Sequence, residues 1–198
     1  MYPDKLKNLI ESFRLLPGIG EKTAERMAFA VMDFEKEQVE FFASNLKDAY
    51  DGLHPCPVCN LLTDKERCII CDSSDRNKKK LCIVDDSKSV FLFERLHIFD
   101  GIYHVLDGLI SPLNGVNPED IGIEKLLERI QKENFEEIIF ALTPTIEGET
   151  TALYINNVLD DTNIKITKIA AGVPVGADIE YMDVLTLERA LNDRKEIS

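Results

Sequence analysis

Apolar positions recur at helical spacing through the first fifty residues. Leu6, Leu9, Ile10, Phe13 and Leu16 share one face, which predicts a helix over 3–16 with Pro3 suited to its start. Ala24, Met27, Ala28 and Val31 repeat the pattern in a helix over 21–32. Val39, Phe42, Ala43 and Leu46 repeat it again in a helix over 35–50. Beyond residue 80 the pattern changes. Short apolar runs at 81–84, 101–106, 137–142 and 164–170 read as buried strands, and helical stretches are expected between them at 87–97, 121–134 and 150–159. A last helix is expected over about 183–192, with Asp183 as its N-cap. Alternation of strand and helix predicts an α/β domain with a parallel sheet and helices on both faces.

Between the two regions the periodicity lapses and cysteines take over. Cys56 and Cys59 form one Cys-x-x-Cys knuckle, and eight residues later Cys68 and Cys71 form a second. Each knuckle delivers two sulfurs to one side of a tetrahedral ion, so the pattern predicts one zinc per chain. Four thiolates leave no open coordination position, which makes the site structural. The competing reading is two disulfides or a redox pair. The segment 54–75 is too short for an apolar core of its own, and metal binding would supply the missing folding energy. Cys82 stands apart in an apolar strand and reads as a small buried hydrophobe, His104 as a core histidine, and His54 as a spare ligand beside the first knuckle. Arg76 to Lys80 reads as a basic linker.

Charge alters the picture. The formal net charge is −13, which speaks against a nucleic-acid partner at first sight. Residues 1–80 carry 13 Lys and Arg against 14 Asp and Glu, whereas 81–198 carry 10 against 22. A polyanion is therefore expected at the first part. No apolar run approaches the roughly 20 residues that span a bilayer, and the N-terminus lacks a basic-then-apolar signal pattern. With clustered cysteines, this predicts a cytoplasmic protein with no membrane partner.

Two motifs carry candidate chemistry. Leu16-Pro-Gly-Ile-Gly20 joins two helices and resembles a helix-hairpin-helix. Gly18 and Gly20 let backbone approach a phosphate, amides opening the second helix point at it, and Lys22 and Arg26 follow one turn apart. Such contacts read no base sequence; the alternative is a plain helical hairpin. Asp85 ends a strand, and Glu147 and Glu149 are expected in a loop after another, so these acids are candidates for a partner-binding or Mg²⁺ loop. The arrangement resembles a Toprim domain, but Thr143-Pro144-Thr145 stands where active members carry an acidic pair. Asp178 lies in the Gly- and Pro-rich stretch 172–181 and belongs to the same candidate set.

The order of these features resembles the RecR family across essentially the whole chain. The resemblance rests on the hairpin, the four cysteines, the Toprim-like part, Tyr103-His-Val-Leu106, Ala152-Leu153-Tyr154 and the stretch Gly172 to Tyr181. Departures are Asp85 for the usual Glu, Thr143 for Asn, Ala177 for Gly and Ala171 for a basic residue. The resemblance implies four parts: a helix-hairpin-helix region (1–53), a four-cysteine zinc finger (54–75), a Toprim-like α/β domain (76–175) and a C-terminal Walker-B-like loop and helix (176–198). It further implies a non-enzymatic mediator of recombinational DNA repair. Such a mediator would assemble as a homo-oligomeric, tetrameric ring that holds DNA, and act with RecO-like and RecF-like proteins to load RecA on single strands. Two other readings remain open: a Mg²⁺-dependent Toprim enzyme that cuts or rejoins DNA, and a zinc-bearing assembly module that binds protein only.

Overall fold

The computed structural model of the chain describes residues 2–160, 162–170 and 172–194. Ala171 and the end of the C-terminal segment, 195–198, therefore lie outside the described residues. The chain divides into two compact units, Met1–Leu53 and His54–Ser198.

The first unit holds α1 (Asp4–Arg14), α2 (Glu21–Met32) and α3 (Lys36–Gly52). Its small core is Ile10, Ala24 and Ala28, flanked by Leu6, Leu9, Phe13 and Ile19. The two alanines are fully buried and bring α1 and α2 close. The face expected on α3 behaves otherwise. No residue of α3 is buried, and Val39, Phe42 and Leu46 remain exposed. The helix is fixed locally instead, by a capping box in which the Gln38 side chain accepts from the Glu35 amide at 2.9 Å. Leu16, expected on the inward face of α1, is also exposed because the helix ends at Arg14.

The second unit begins with the cysteine module: β1 (His54–Pro55), β2 (Leu62–Thr63) and the single turn α4 (Ile69–Asp72). It continues through β3 (Asn77–Val84), α5 (Ser87–Leu96), β4 (Gly101–Val105), α6 (Ile123–Lys132), β5 (Glu137–Phe140), α7 (Ile146–Val158), β6 (Lys165–Lys168) and α8 (Val184–Asn192). The four main strands are all parallel, in the order β4-β3-β5-β6. Leu81 to Val84 and Gly101 to Val105 are buried at every successive position. Neighbouring strand residues point to opposite sides, so the sheet is covered on both faces.

Two elements differ from the sequence reading. Residues 77–80 are not linker but the first half of β3, with Lys80 opposite Glu137. Their charges are accommodated because this end of the sheet is solvated and lined with acids: Lys79 pairs with Glu136 and Lys80 with Asp100. Arg76 is half-buried and pairs with Glu94, which also accepts from the Tyr103 hydroxyl at 2.8 Å. The second difference is α7, which starts at Ile146, so Glu147 and Glu149 lie in its first turn. The Thr145 hydroxyl caps that turn by accepting from the Gly148 amide at 3.2 Å. Gly148 has no room for a Cβ, which would run into the Thr143 carbonyl.

The cysteine module closes one edge of the sheet. The Val105 amide donates to the Cys59 carbonyl at 2.8 Å. The outward carbonyls of β4 are taken in turn: Asn60 donates to Val105 (3.1 Å), Arg129 to Tyr103 (2.7 Å) and Arg76 to Gly101 (3.4 Å). Asn60 holds a left-handed φ of 64° and bonds Asp107 as well, at 2.7 Å. The opposite edge strand, β6, is short and carries Lys165 and Lys168, which discourages pairing with another chain.

Candidate functional site

The hairpin is the clearest site in the first unit. Gly18 has φ +80°, a conformation that a side chain resists, so the turn needs glycine there. Gly20 has φ −81°, which any residue adopts, and a Cβ on it would meet nothing within 4 Å. Neither the backbone nor the packing of the protein calls for a glycine at position 20. The Ile19 amide bonds Leu16, while the amides of Thr23 and Ala24 bond Gly20. Those of Gly18, Gly20, Glu21 and Lys22 have no partner among the described residues, and all four residues are exposed. Gly20 caps α2 without a side-chain bond. The N-terminus of α2 thus offers free donors and the positive end of its dipole to solvent. Lys22 and Arg26 are exposed on this helix, and neither forms an ion pair among the described residues. Glu21 is the one acid in the first turn of α2.

The four cysteines converge. Their sulfurs lie within 4.8 Å of one another and all four residues are buried. Cys59 and Cys68 sulfurs are 3.4 Å apart, far beyond a disulfide bond, and the cysteines are unpaired. A tetrahedral ion with metal–sulfur bonds of about 2.3 Å needs sulfurs roughly 3.8 Å apart, which suits this cluster. Backbone amides already point at the sulfurs: Cys71 donates to Cys68 at 3.4 Å and Cys68 to Cys56 at 3.5 Å. The hydrogen bond between Cys59 and Cys68 pushes the Cys59 thiol up and pulls Cys68 down. Thiols this close cannot all ionise unless a cation joins them. The donor set therefore fits one thiophilic metal ion. Among the described residues it is the one group of three or more His, Cys, Asp or Glu side chains able to hold a metal. His54 lies outside it, exposed, with Nδ1 3.2 Å from the Pro55 carbonyl. Cys82 is buried in β3, and burial raises its thiol to about 12, so it is inert packing.

The acids picked out from the sequence are not gathered. Asp85 follows β3 and accepts from both the backbone amide (3.3 Å) and the hydroxyl (2.5 Å) of Thr143. Glu149 is held by Lys168 at 3.1 Å and lies 3.9 Å from Arg189. Glu147 sits in the same first turn of α7. Asp178 is exposed and precedes the short turn Ile179–Tyr181. Asp183 caps α8 as expected, accepting from the Thr186 amide at 2.9 Å. His104 is buried as expected, but its Nδ1 has no hydrogen-bond partner. No helix among the described residues is long and apolar enough to cross a membrane.

The sequence reading missed the set of side chains that closes the sheet edge, namely Asn60, Arg76 and Arg129. The signal for Asn60 was its place directly after Cys59. Nothing local marked the two arginines.

Comparison with known protein families matches three successive segments. Residues 6–50 match the RecR helix-hairpin-helix, residues 79–170 the Toprim domain, and residues 172–195 the RecR C-terminal region. The four-cysteine module occupies the gap between the first two. Three segments in this order, spanning most of the chain, show that it belongs to the RecR family of recombination-repair mediators.

Proposed function

We propose that the chain is a non-enzymatic DNA-binding mediator whose hairpin grips the sugar-phosphate backbone. The observation that carries this reading is the row of unpartnered, exposed amides at Gly18, Gly20, Glu21 and Lys22. Amides without internal partners at a helix N-terminus are donors in want of an acceptor, and phosphate oxygens fit them. Lys22 and Arg26 add charge along the same helix and offset Glu21. The freedom of Gly20 from any demand of the fold supports the same view, because a side chain there would stand between the turn and its ligand.

The four cysteines would hold one zinc ion as a closed tetrathiolate, which fixes the module without taking part in a reaction. In this reading Asp85 and Glu149 are occupied by protein partners, which favours a mediator over a Mg²⁺ enzyme. Apolar surface lies uncovered at both ends of the chain: Phe41, Leu46 and Tyr50 on α3, and Val175, Tyr181, Val184 and Leu191 near the C-terminus. Two such patches suit head-to-head and tail-to-tail contacts between copies, which would close a tetrameric ring around DNA. The acidic α/β unit would then meet RecO-like and RecF-like proteins in the cytoplasm, on the way to RecA loading.

The test is a joint change of Lys22→Ala and Arg26→Ala, with DNA affinity measured over a range of salt. We expect weaker binding to all sequences alike, and a salt slope shallower by about two. An unchanged slope would overturn the hairpin as the DNA contact.

A further inference from the structure

The N-terminal end of β3 opens onto a cleft of about 410 Å³ within the second unit. Its charged lining comes from three parts of the sequence. Arg67 belongs to the cysteine module, Lys78 and Lys79 to β3, and Arg129, Lys132 and Glu133 to the end of α6. Five cationic side chains and one carboxylate thus line a single cleft, in a chain of net charge −13.

Ion pairing accounts for these cations only in part. Lys78 has no ion-pair partner among the described residues. Lys79 pairs with Glu136 and Lys132 with Glu128, but all four of these side chains are mostly exposed. Exposed pairs hold little free energy and give way readily to a better anion. Arg67 reaches Asp72 at 3.3 Å through Nε. Arg129 is of another kind. It is buried, donates from Nη1 to the Tyr103 carbonyl and from Nε to Glu133 at 3.0 Å, and lies 5.8 Å from the centre of the Phe135 ring. Its guanidinium is set in place before any ligand arrives, so ordering it costs a ligand nothing further.

A single carboxylate would leave most of this charge unbalanced. A phosphate group carries more charge and more acceptor oxygens, and both Arg and Lys suit it. We propose that the cleft between the cysteine module and the end of α6 is a phosphate-binding site. It does not depend on the hairpin reading, since it lies in the other unit. Its ligand is either a nucleic-acid backbone or a free phosphate compound, which share this chemistry. The competing duty for the cations is to balance the thiolates, because Cys71 lines the same cleft.

The test uses the full zinc-loaded chain and the double variant Lys78→Ala with Lys132→Ala, two exposed positions that leave the core intact. Equilibrium dialysis against inorganic phosphate is expected to show saturable binding that weakens about tenfold in the variant. Anisotropy of a labelled oligonucleotide, with Lys22 and Arg26 intact, is expected to lose one to two from its salt slope, about one per phosphate contact. A loss in dialysis alone assigns the cleft to a free phosphate compound, and a loss of slope alone assigns it to the backbone. Either result upholds the site. No change in both, whether or not the variant releases zinc faster, overturns it; faster zinc release would then give the cations to the thiolates.

Discussion

Asp85 and Thr143 are joined twice, the Asp85 carboxylate accepting from both the hydroxyl and the backbone amide of Thr143. The pair links the end of β3 to the segment after β5, where an open parallel sheet exposes its strand ends. Thr143 is held from its other side too, because its carbonyl packs on the Cα of Gly148. A carboxylate used in this way secures the loop, with each of its oxygens already accepting one hydrogen bond.

Breaking that link should therefore cost stability and leave metal response flat. Asp85→Ala is expected to destabilise the protein by about 1 kcal/mol, a typical value for a hydrogen-bonded pair at the surface. The melting temperature of the unaltered chain is expected to stay constant on adding millimolar Mg²⁺, since a bound ion would raise it by mass action. Thermal unfolding with and without the salt checks both.

The two glycines of the hairpin should separate fold from function. Gly18→Ala forces a side chain into a left-handed φ and should cost about 1 kcal/mol or more. Gly20→Ala should change stability by less than about 0.5 kcal/mol, yet weaken DNA binding, because its Cβ meets only what approaches from outside. Denaturant unfolding and DNA anisotropy, run on both variants, decide the matter.

The metal site should be felt in the sheet. Cys59→Ser is expected to lower metal content from one ion per chain and to speed hydrogen exchange at Val105, whose amide is bonded to the Cys59 carbonyl. Exchange at Ile138 in β5, remote from the module, should change far less. Metal analysis beside residue-resolved exchange provides the readout.

Acid should weaken the second unit through His104. Burial first, then the charges of Arg129 and Lys125, hold its pKa down to about 3. The unfolded side chain titrates near 6.5. The unfolded state therefore takes up a proton that the folded state refuses. Stability from this group is complete above about pH 6.5 and declines as pH falls toward 3, by about 1.4 kcal/mol per pH unit. His104→Gln should flatten that part of the acid limb, as urea midpoints between pH 6.5 and 4 would reveal.

Much of this architecture was legible in the chain, and the exceptions have physical reasons. The cysteine spacing pointed to a tetrad because metal geometry is local. Pro17 to Gly20 marked a turn because glycine and proline restrict backbone locally. Residues 77–80 read as linker because hydrophobic periodicity cannot register strand positions filled by lysine and satisfied by acids from other elements. Gly148 read as a loop, whereas a threonine cap and a close carbonyl make it part of a helix. On α3 the pattern of Val39, Phe42 and Leu46 is genuine, but nothing in its own unit covers it. The carbonyls of β4 are capped by residues as far as 45 positions away, which no local window contains.

The grip of the Cys59–Asn60 knuckle on β4 would give a metal held by the four cysteines a protective duty. A parallel sheet left with a bare outer strand is a template on which further chains can stack, strand upon strand. By keeping that knuckle folded, the ion would guard the protein against fibrous self-accretion, and starvation for the metal would surface first as insoluble deposits.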